Sequence, residues 1–280
     1  MHAHPDDESS KGPATVARYS SEGVHCVLVT CTGGEEGDIL NPALDNPEIR
    51  KHLGEVRSAE LQEAVRIIGY DESILLGYRD SGMPGASANK HEHSFAMAPL
   101  EESVENLVKI IRRVKPQVII TYPEAQNEYP HPDHIRVHEI SVAAFEAAGD
   151  QDQYVCAGPA FAPSKLYYSV WPRERYLAQH NKHLELKIPS PFDEKWLERL
   201  NRKEPITTTI DIRGFEDVRT RALKAHATQI DPNSSFWFGL PEDILHSIHP
   251  QDEFYLAKNL AGPLIQDGER YEDDLFAGLR

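Results

Sequence analysis

Three short runs of β-branched and aliphatic residues, at positions 25–32, 73–76 and 117–122, each lie between segments of helical period. Strands apolar on both faces must be covered on both faces, so this alternation predicts a Rossmann-like α/β fold: an open, mostly parallel sheet with helices on both sides. The helices are marked by their punctuation. Ser9 or Ser10 can cap one that runs to residue 22, and Gly23 stops it. Leu53, Val56, Leu61, Ala64, Val65 and Ile68 form a stripe on a helix over residues 48–68, ended by Gly69. Leu100, Val104, Leu107, Val108, Ile111 and Val114 form a second stripe ahead of Pro116, and a further helix is expected over residues 134–148. Beyond residue 150 the pattern loosens to a strand at 165–170, an alternating run at 206–212 and a helix at 215–227. No linker rich in Pro, Gly or Ser cuts the chain. We expect a Rossmann-like core over residues 1–150 and a smaller α+β extension over residues 151–280 packed on the same domain. Residues 83–99 lack periodicity and read as a long loop, and no internal repeat is present.

The charge balance narrows the function. Twenty-nine basic against 45 acidic side chains leave a formal charge of −16 with no Lys/Arg cluster, which argues against nucleic-acid and anionic-membrane partners. The aliphatic runs fall far short of the ~18 residues needed to span a bilayer, and the first residues lack the basic start and apolar stretch of a secretory signal. A cytoplasmic protein acting on a small molecule is expected, with Cys26, Cys31 and Cys156 as reduced core thiols.

Two segments carry the chemistry: His4-Pro5-Asp6-Asp7-Glu8 and His131-Pro132-Asp133-His134. In each, proline stiffens a loop-to-helix junction, and the second follows a strand, where open α/β sheets bind ligands. Together they offer His4, Asp7 and His134, two imidazoles and a carboxylate, the donor set of a catalytic zinc with an open position. Asp6 is left over as a general base toward water. His131 can donate to a leaving nitrogen or an oxyanion, Tyr129 adds a donor, and Asp133 can accept from His131 and fix its tautomer. His138 reads as a solvated or core histidine, and His91 and His93 as solvated.

These motifs resemble the N-acetylglucosaminyl-phosphatidylinositol de-N-acetylase superfamily, the LmbE-like zinc deacetylases. Further segments are similar to its mycothiol S-conjugate amidase branch, among them Ser9-Ser10-Lys11-Gly12, Thr30-Cys31-Thr32-Gly33-Gly34-Glu35, Asp80-Ser81-Gly82-Met83-Pro84, Ala225-His226-Ala227-Thr228-Gln229 and Glu272-Asp273-Asp274-Leu275-Phe276. The resemblance implies a cytoplasmic zinc amidase, with ferrous iron as the other candidate metal. It would cut mycothiol S-conjugates to a mercapturic acid and glucosaminyl-inositol. It also implies His4, Asp7 and His134 as metal ligands, Asp6 as base, His131 as acid and Tyr129 at the oxyanion. Arg57 and Asp80 would contact sugar and inositol hydroxyls, and Lys11 would recognise the cysteinyl half. Without the resemblance, Arg57 reads as an ion pair with Glu60 on a helix surface.

Three other readings compete. The same site serves the deacetylation of N-acetylglucosaminyl-inositol, from which Lys11 separates the amidase. Two histidines and a carboxylate also make the facial triad of iron oxygenases, although helix–strand alternation argues against their barrels. A nucleotide-binding module is disfavoured because no Gly-x-Gly-x-x-Gly follows a first strand. Two departures from the family pattern stand out: residues 123–128 lack glycines before Tyr129, and only Met1-His2-Ala3 precede the first motif, where the family has a strand. The expectation is a chain cut short at its start, poorly soluble or inactive in this form.

Overall fold

In a computed structural model, residues 1–124, 129–200, 205–262 and 272–280 are described; part of the glycine-poor segment before Tyr129, residues 125–128, lies outside them. Gly12, with φ 79°, and Pro13 in a first helical turn divide the first expected helix into α1 (Asp7–Ser10) and α2 (Pro13–Ser21). β1 (Val27–Thr32) follows. The expected helix over residues 48–68 is likewise two: α3 (Pro47–Lys51), capped by the Asn46 side chain on the Ile49 N–H, and α4 (Leu53–Ile68), parted at His52. Gly69 ends α4 at φ 89°, the left-handed stop that its position suggested. Next come β2 (Glu72–Tyr78), α5 (Leu100–Val114), β3 (Val118–Thr121) and α6 (Pro132–Ala147). The 83–99 loop is irregular apart from two single 3₁₀ turns, and it is pinned by the fully buried Phe95.

The second half supplies β4 (Lys165–Ser169), α7 (Arg173–Glu185), α8 (Glu194–Arg199), β5 (Thr208–Asp211), α9 (Glu216–Ala225), α10 (Ser235–Phe238), α11 (Glu242–Ile248) and β6 (Gln251–Asn259). β1 and β2 pair in parallel, while β3, β4, β6 and β5 form a second sheet in that order, parallel between β3 and β4 and antiparallel beyond. Residues 1–3 lie between the two sheets. The His2 N–H donates to Val29 O at 2.8 Å and the Cys31 N–H to His2 O at 3.0 Å, while the buried Met1 amine reaches Ile120 O at 3.0 Å. Desolvation pulls that amine down to about 6. His4 is therefore delivered beside the carboxyl ends of β1 and β3. The fold is an open α/β arrangement, with the antiparallel part in the extension.

Val104, Leu107, Val108 and Ile111 of α5 pack on Val137, Ile140 and Ala144 of α6, over Ala3, Cys31 and Tyr122. A second core gathers Ala14, Tyr19, Tyr167, Ile210, Phe254 and Leu275. Each fully buried aliphatic or aromatic side chain contributes about 1.5–3 kcal/mol. Charges are buried as well. Asp252 takes Arg175 at 2.9 Å, Arg219 at 2.6 Å and the Thr15 hydroxyl at 2.9 Å, which ties α2, α7 and α9 to β6. Lys165 Nζ meets Glu272 Oε1 at 2.7 Å, and the Glu272 main chain bonds Thr207 and Thr209 at 3.0 and 2.9 Å. The cysteines are free, but only Cys31 is a core thiol: Cys26 is half-buried just ahead of β1, and Cys156 is exposed on a 3₁₀ turn.

Candidate active site

The two proline-stiffened loops meet. Pro5 and Asp6 turn the chain into α1, and Asp6 adopts φ 114°, a conformation rare outside glycine. Pro132 opens α6, whose first turn carries Asp133 and His134. His4, Asp7 and His134 are buried and present ligand atoms within 4.8 Å of one another. A tetrahedral ion with bonds of about 2.0–2.1 Å spaces its ligands roughly 3.3 Å apart. Asp7 Oδ2 lies 3.3 Å from His134 Nε2 and 3.6 Å from His4 Nδ1, so these residues fit a zinc-type ion with little movement.

A second group, His4, Asp80, His131 and Asp133, also converges. Hydrogen bonding separates the roles. The Asp133 carboxylate accepts from the Ser81 N–H at 2.9 Å and from the Ser81 hydroxyl, and His4 Nε2 stands 3.1 Å away. That is the partner which orients a ligating histidine and leaves His4 Nδ1 for the ion. This corrects the expected pairing of Asp133 with His131. Instead, the Asp133 main-chain N–H donates to His131 Nδ1 at 3.2 Å, which places the proton of the neutral ring on Nε2.

The charges follow from crowding. Burial opposes a charge on His4, yet Asp133, Asp7 and Asp80 around it raise its pKa well above the usual imidazole value. Burial also works against the Asp7 carboxylate, and His134 and Lys11 override it, holding it well below its usual range. Burial raises Asp6, with Arg57 opposing, and burial together with His4 and His134 brings His131 down to about 4. A raised carboxyl beside a neutral imidazole is a workable base and donor pair near neutral pH.

Lys11 sits at the edge of the ligand set, its ammonium 2.5 Å from Asp7 Oδ1 and 5.1 Å above the Tyr122 ring. Arg57 is not on a helix surface. It is 3% exposed and donates to Asp6 Oδ2 at 2.9 Å, Pro5 O at 2.5 Å and Gly34 O at 2.6 Å, while Glu60 turns to Thr228. Asp80 is buried, 3.5 Å from His4 Nε2. Tyr129 is 45% exposed with its ring 5.1 Å from His134. His138 bonds Tyr122 O at 2.9 Å, which satisfies it outside the site, and His91 and His93 are exposed.

All ten candidate residues except Asp133 line one cavity of about 1070 Å³. Its lining from the second half of the chain, which the sequence did not reveal, is rich in apolar side chains, Val170, Trp171, Pro172, Trp196, Leu200 and Ile206, with Arg173, Glu174 and Arg199 among them. Val170 and Ile206 lie in the expected strand and the alternating run, whereas Trp171, Pro172, Trp196 and Leu200 fall in segments where no period is legible. Tyr122, stacked on His134 at 4.8 Å, and the buried Glu8–His226 pair were also missed. Among the described residues no helix is long and apolar enough to cross a membrane.

Comparison with known proteins agrees with this site. A family model described as GlcNAc-PI de-N-acetylase (PIG-L) matches residues 1–145. A mycothiol S-conjugate amidase of Streptomyces coelicolor is 43% identical over 100% of this chain and 96% of its own. A 1D-myo-inositol 2-acetamido-2-deoxy-alpha-D-glucopyranoside deacetylase of Streptomyces griseus is 38% identical over 100% of this chain and 88% of its own. Among solved structures, N,N'-diacetylchitobiose deacetylase from Pyrococcus horikoshii shares the fold, with TM-score 0.60 and 17% identity over 91% of this chain and 81% of that one. Non-catalytic and oxygenase readings are thereby set aside: the chain is a hydrolase of amide bonds and belongs to the GlcNAc-PI de-N-acetylase (PIG-L) family.

Proposed function

We propose that the chain is a zinc-dependent amidase that cleaves the cysteinyl–glucosaminyl amide of mycothiol S-conjugates. The products are a mercapturic acid and glucosaminyl-inositol. The observation that carries this reading is the two-sided cavity. A sugar-inositol with an acetyl group would leave the apolar side chains of this lining, two tryptophans, a leucine and an isoleucine, unused, whereas a thioether substituent on a longer acyl half would reach them. The position of Lys11 supports the same choice. Its head lies beside Asp7, within reach of carbonyl groups on the acyl side of the amide.

His4, Asp7 and His134 would hold the ion, with His4 oriented by Asp133. A zinc ion there supplies Lewis acidity for an amide carbonyl and lowers the pKa of water. Asp6 takes the proton of the attacking water as its oxygen adds to the amide carbon. The C–N bond then breaks and the departing nitrogen takes up the proton that Asp6 accepted from the water, with the His131 Nε2–H placed to donate a hydrogen bond to the leaving nitrogen or the oxyanion. Tyr129 supplies a hydroxyl toward the oxyanion, and Arg57 and Asp80 border the sugar side.

Deacetylation of N-acetylglucosaminyl-inositol is the second reading, favoured by relatives of that name at 38% identity. A single preparation of known metal content, assayed on S-benzyl mycothiol and on N-acetylglucosaminyl-inositol, decides between them. A higher kcat/KM on the conjugate is expected; the reverse order would assign the deacetylase.

A further inference from the structure

We propose that His226, from the C-terminal extension, is a positioning residue for Asp6 and acts through Glu8. Neither side chain is used by the chemistry above, yet both are fully buried and His226 Nε2 stands 2.6 Å from Glu8 Oε1. The other Glu8 oxygen accepts the Asp6 main-chain N–H at 2.9 Å, and the Ser9 hydroxyl donates to Oε1 at 2.5 Å. Asp6 stands at φ 114° and ψ −26°, a conformation that non-glycine residues hold only when their surroundings over-determine it. The Glu8 carboxylate supplies the main-chain half of that constraint, and Arg57 supplies the side-chain half through its 2.9 Å bond to Asp6 Oδ2.

The segment after α9 braces both halves. His226 fixes Glu8 on α1. Two residues on, the Thr228 N–H and hydroxyl each donate to Glu60 at 2.7 Å, and Glu60 lies one turn from Arg57 on α4. The matched family model ends at residue 145, so this brace comes from outside it. A buried pair that merely glued α9 to α1 would not need to end on the main chain of the one residue whose carboxylate faces the cavity in a rare conformation. The inference rests on the reading of Asp6 as the base.

The test uses zinc-loaded full-length protein and both amide substrates. His226→Asn withdraws the Nε2 donor, and His226→Gln returns an amide nitrogen to its place. We expect kcat to fall roughly 10–100-fold in His226→Asn, the range for lost outer-shell partners, with KM and zinc stoichiometry unchanged within about twofold. His226→Gln should recover most of the loss. Should His226→Asn fail to fold, Glu8→Gln, of the same shape, must show the same fall in kcat at constant KM. Equal losses in the Gln and Asn variants, a KM that rises in step, or zinc lost together with activity would each overturn the proposal. Asp6→Asn in the same series keeps the two ideas apart: wild-type kcat there refutes the base itself, whatever His226 does.

Discussion

Replacing Asp252 by alanine removes a carboxylate that is 3% exposed and is the shared partner of Arg175, Arg219 and Thr15. Arg175 is then left buried without this counter-charge, its nearest remaining carboxylate being Glu253 at 3.7 Å, while Arg219 keeps its bond to Ser10 O at 3.1 Å. Breaking a buried pair by removing one partner costs about 3–5 kcal/mol. An unfolding entropy of about 2.1 cal/mol/K per residue over 280 residues gives roughly 0.6 kcal/mol/K, so Tm should drop by about 5–8 °C. The loss has a pH signature. Burial works against the Asp252 charge, but Arg219, Arg175 and Thr15 hold its carboxyl below the usual range. With a depressed folded pKa, its stabilisation is complete above the unfolded value of ~3.9 and disappears as pH falls through the folded one. The wild-type and Asp252→Ala curves should therefore stand apart at pH 7 and converge below pH ~4. Denaturant melts across that range measure both. A loss under ~1 kcal/mol at pH 7, or a gap that widens in acid, would refute the reasoning.

Three further outcomes follow from the site. Asp6→Asn should keep its metal while kcat falls by ~10²-fold or more, as read by metal analysis beside single-substrate kinetics; joint loss of both would exchange the roles of Asp6 and Asp7. His134→Ala should lose metal and activity together, since a three-ligand site cannot spare one, and stoichiometric zinc with full activity would remove His134 from the ligand set. Lys11→Ala should lower kcat/KM on the conjugate at least ~10-fold more than on the N-acetyl substrate, whereas equal losses would reduce Lys11 to a partner of Asp7.

The sequence exposed what local chemistry writes locally. Apolar runs became β1, β2 and β3, the stripes became α4 and α5, and the two proline-bearing motifs converged because each opens a helix at a strand's carboxyl end. Interactions between distant segments were not written there. α7 and β6 carry charges at buried positions, such as Arg175, Asp252 and Glu253, whose partners lie on other elements, so hydrophobic period hid them. Gly12-Pro13 was a readable break that the expected first helix ran through, whereas the parting of α3 from α4 at His52 lies inside a segment whose apolar stripe reads as one helix. The assignment of Asp133 to His131 failed for a related reason. Two residues apart at a helix start, their contact is made by main chain, which frees the carboxylate for His4, 129 positions away.

The short segment from Glu272 has a consequence for the behaviour of the protein in solution. Among the described residues β5 is the outermost strand of its sheet, and Glu272 pairs in parallel with Thr208 at the start of that strand. A bare strand rim is a template for another chain, and a short acidic segment laid along it denies that template to neighbours. Trimming the chain ahead of Glu272 would uncover these backbone groups and leave the Lys165 ammonium, 1% exposed, without its counter-ion in the same stroke. A deletion that removes Glu272 is therefore expected to expose the start of the β5 rim and to unpair Lys165 together, which makes this end of the chain a poor place for deletion.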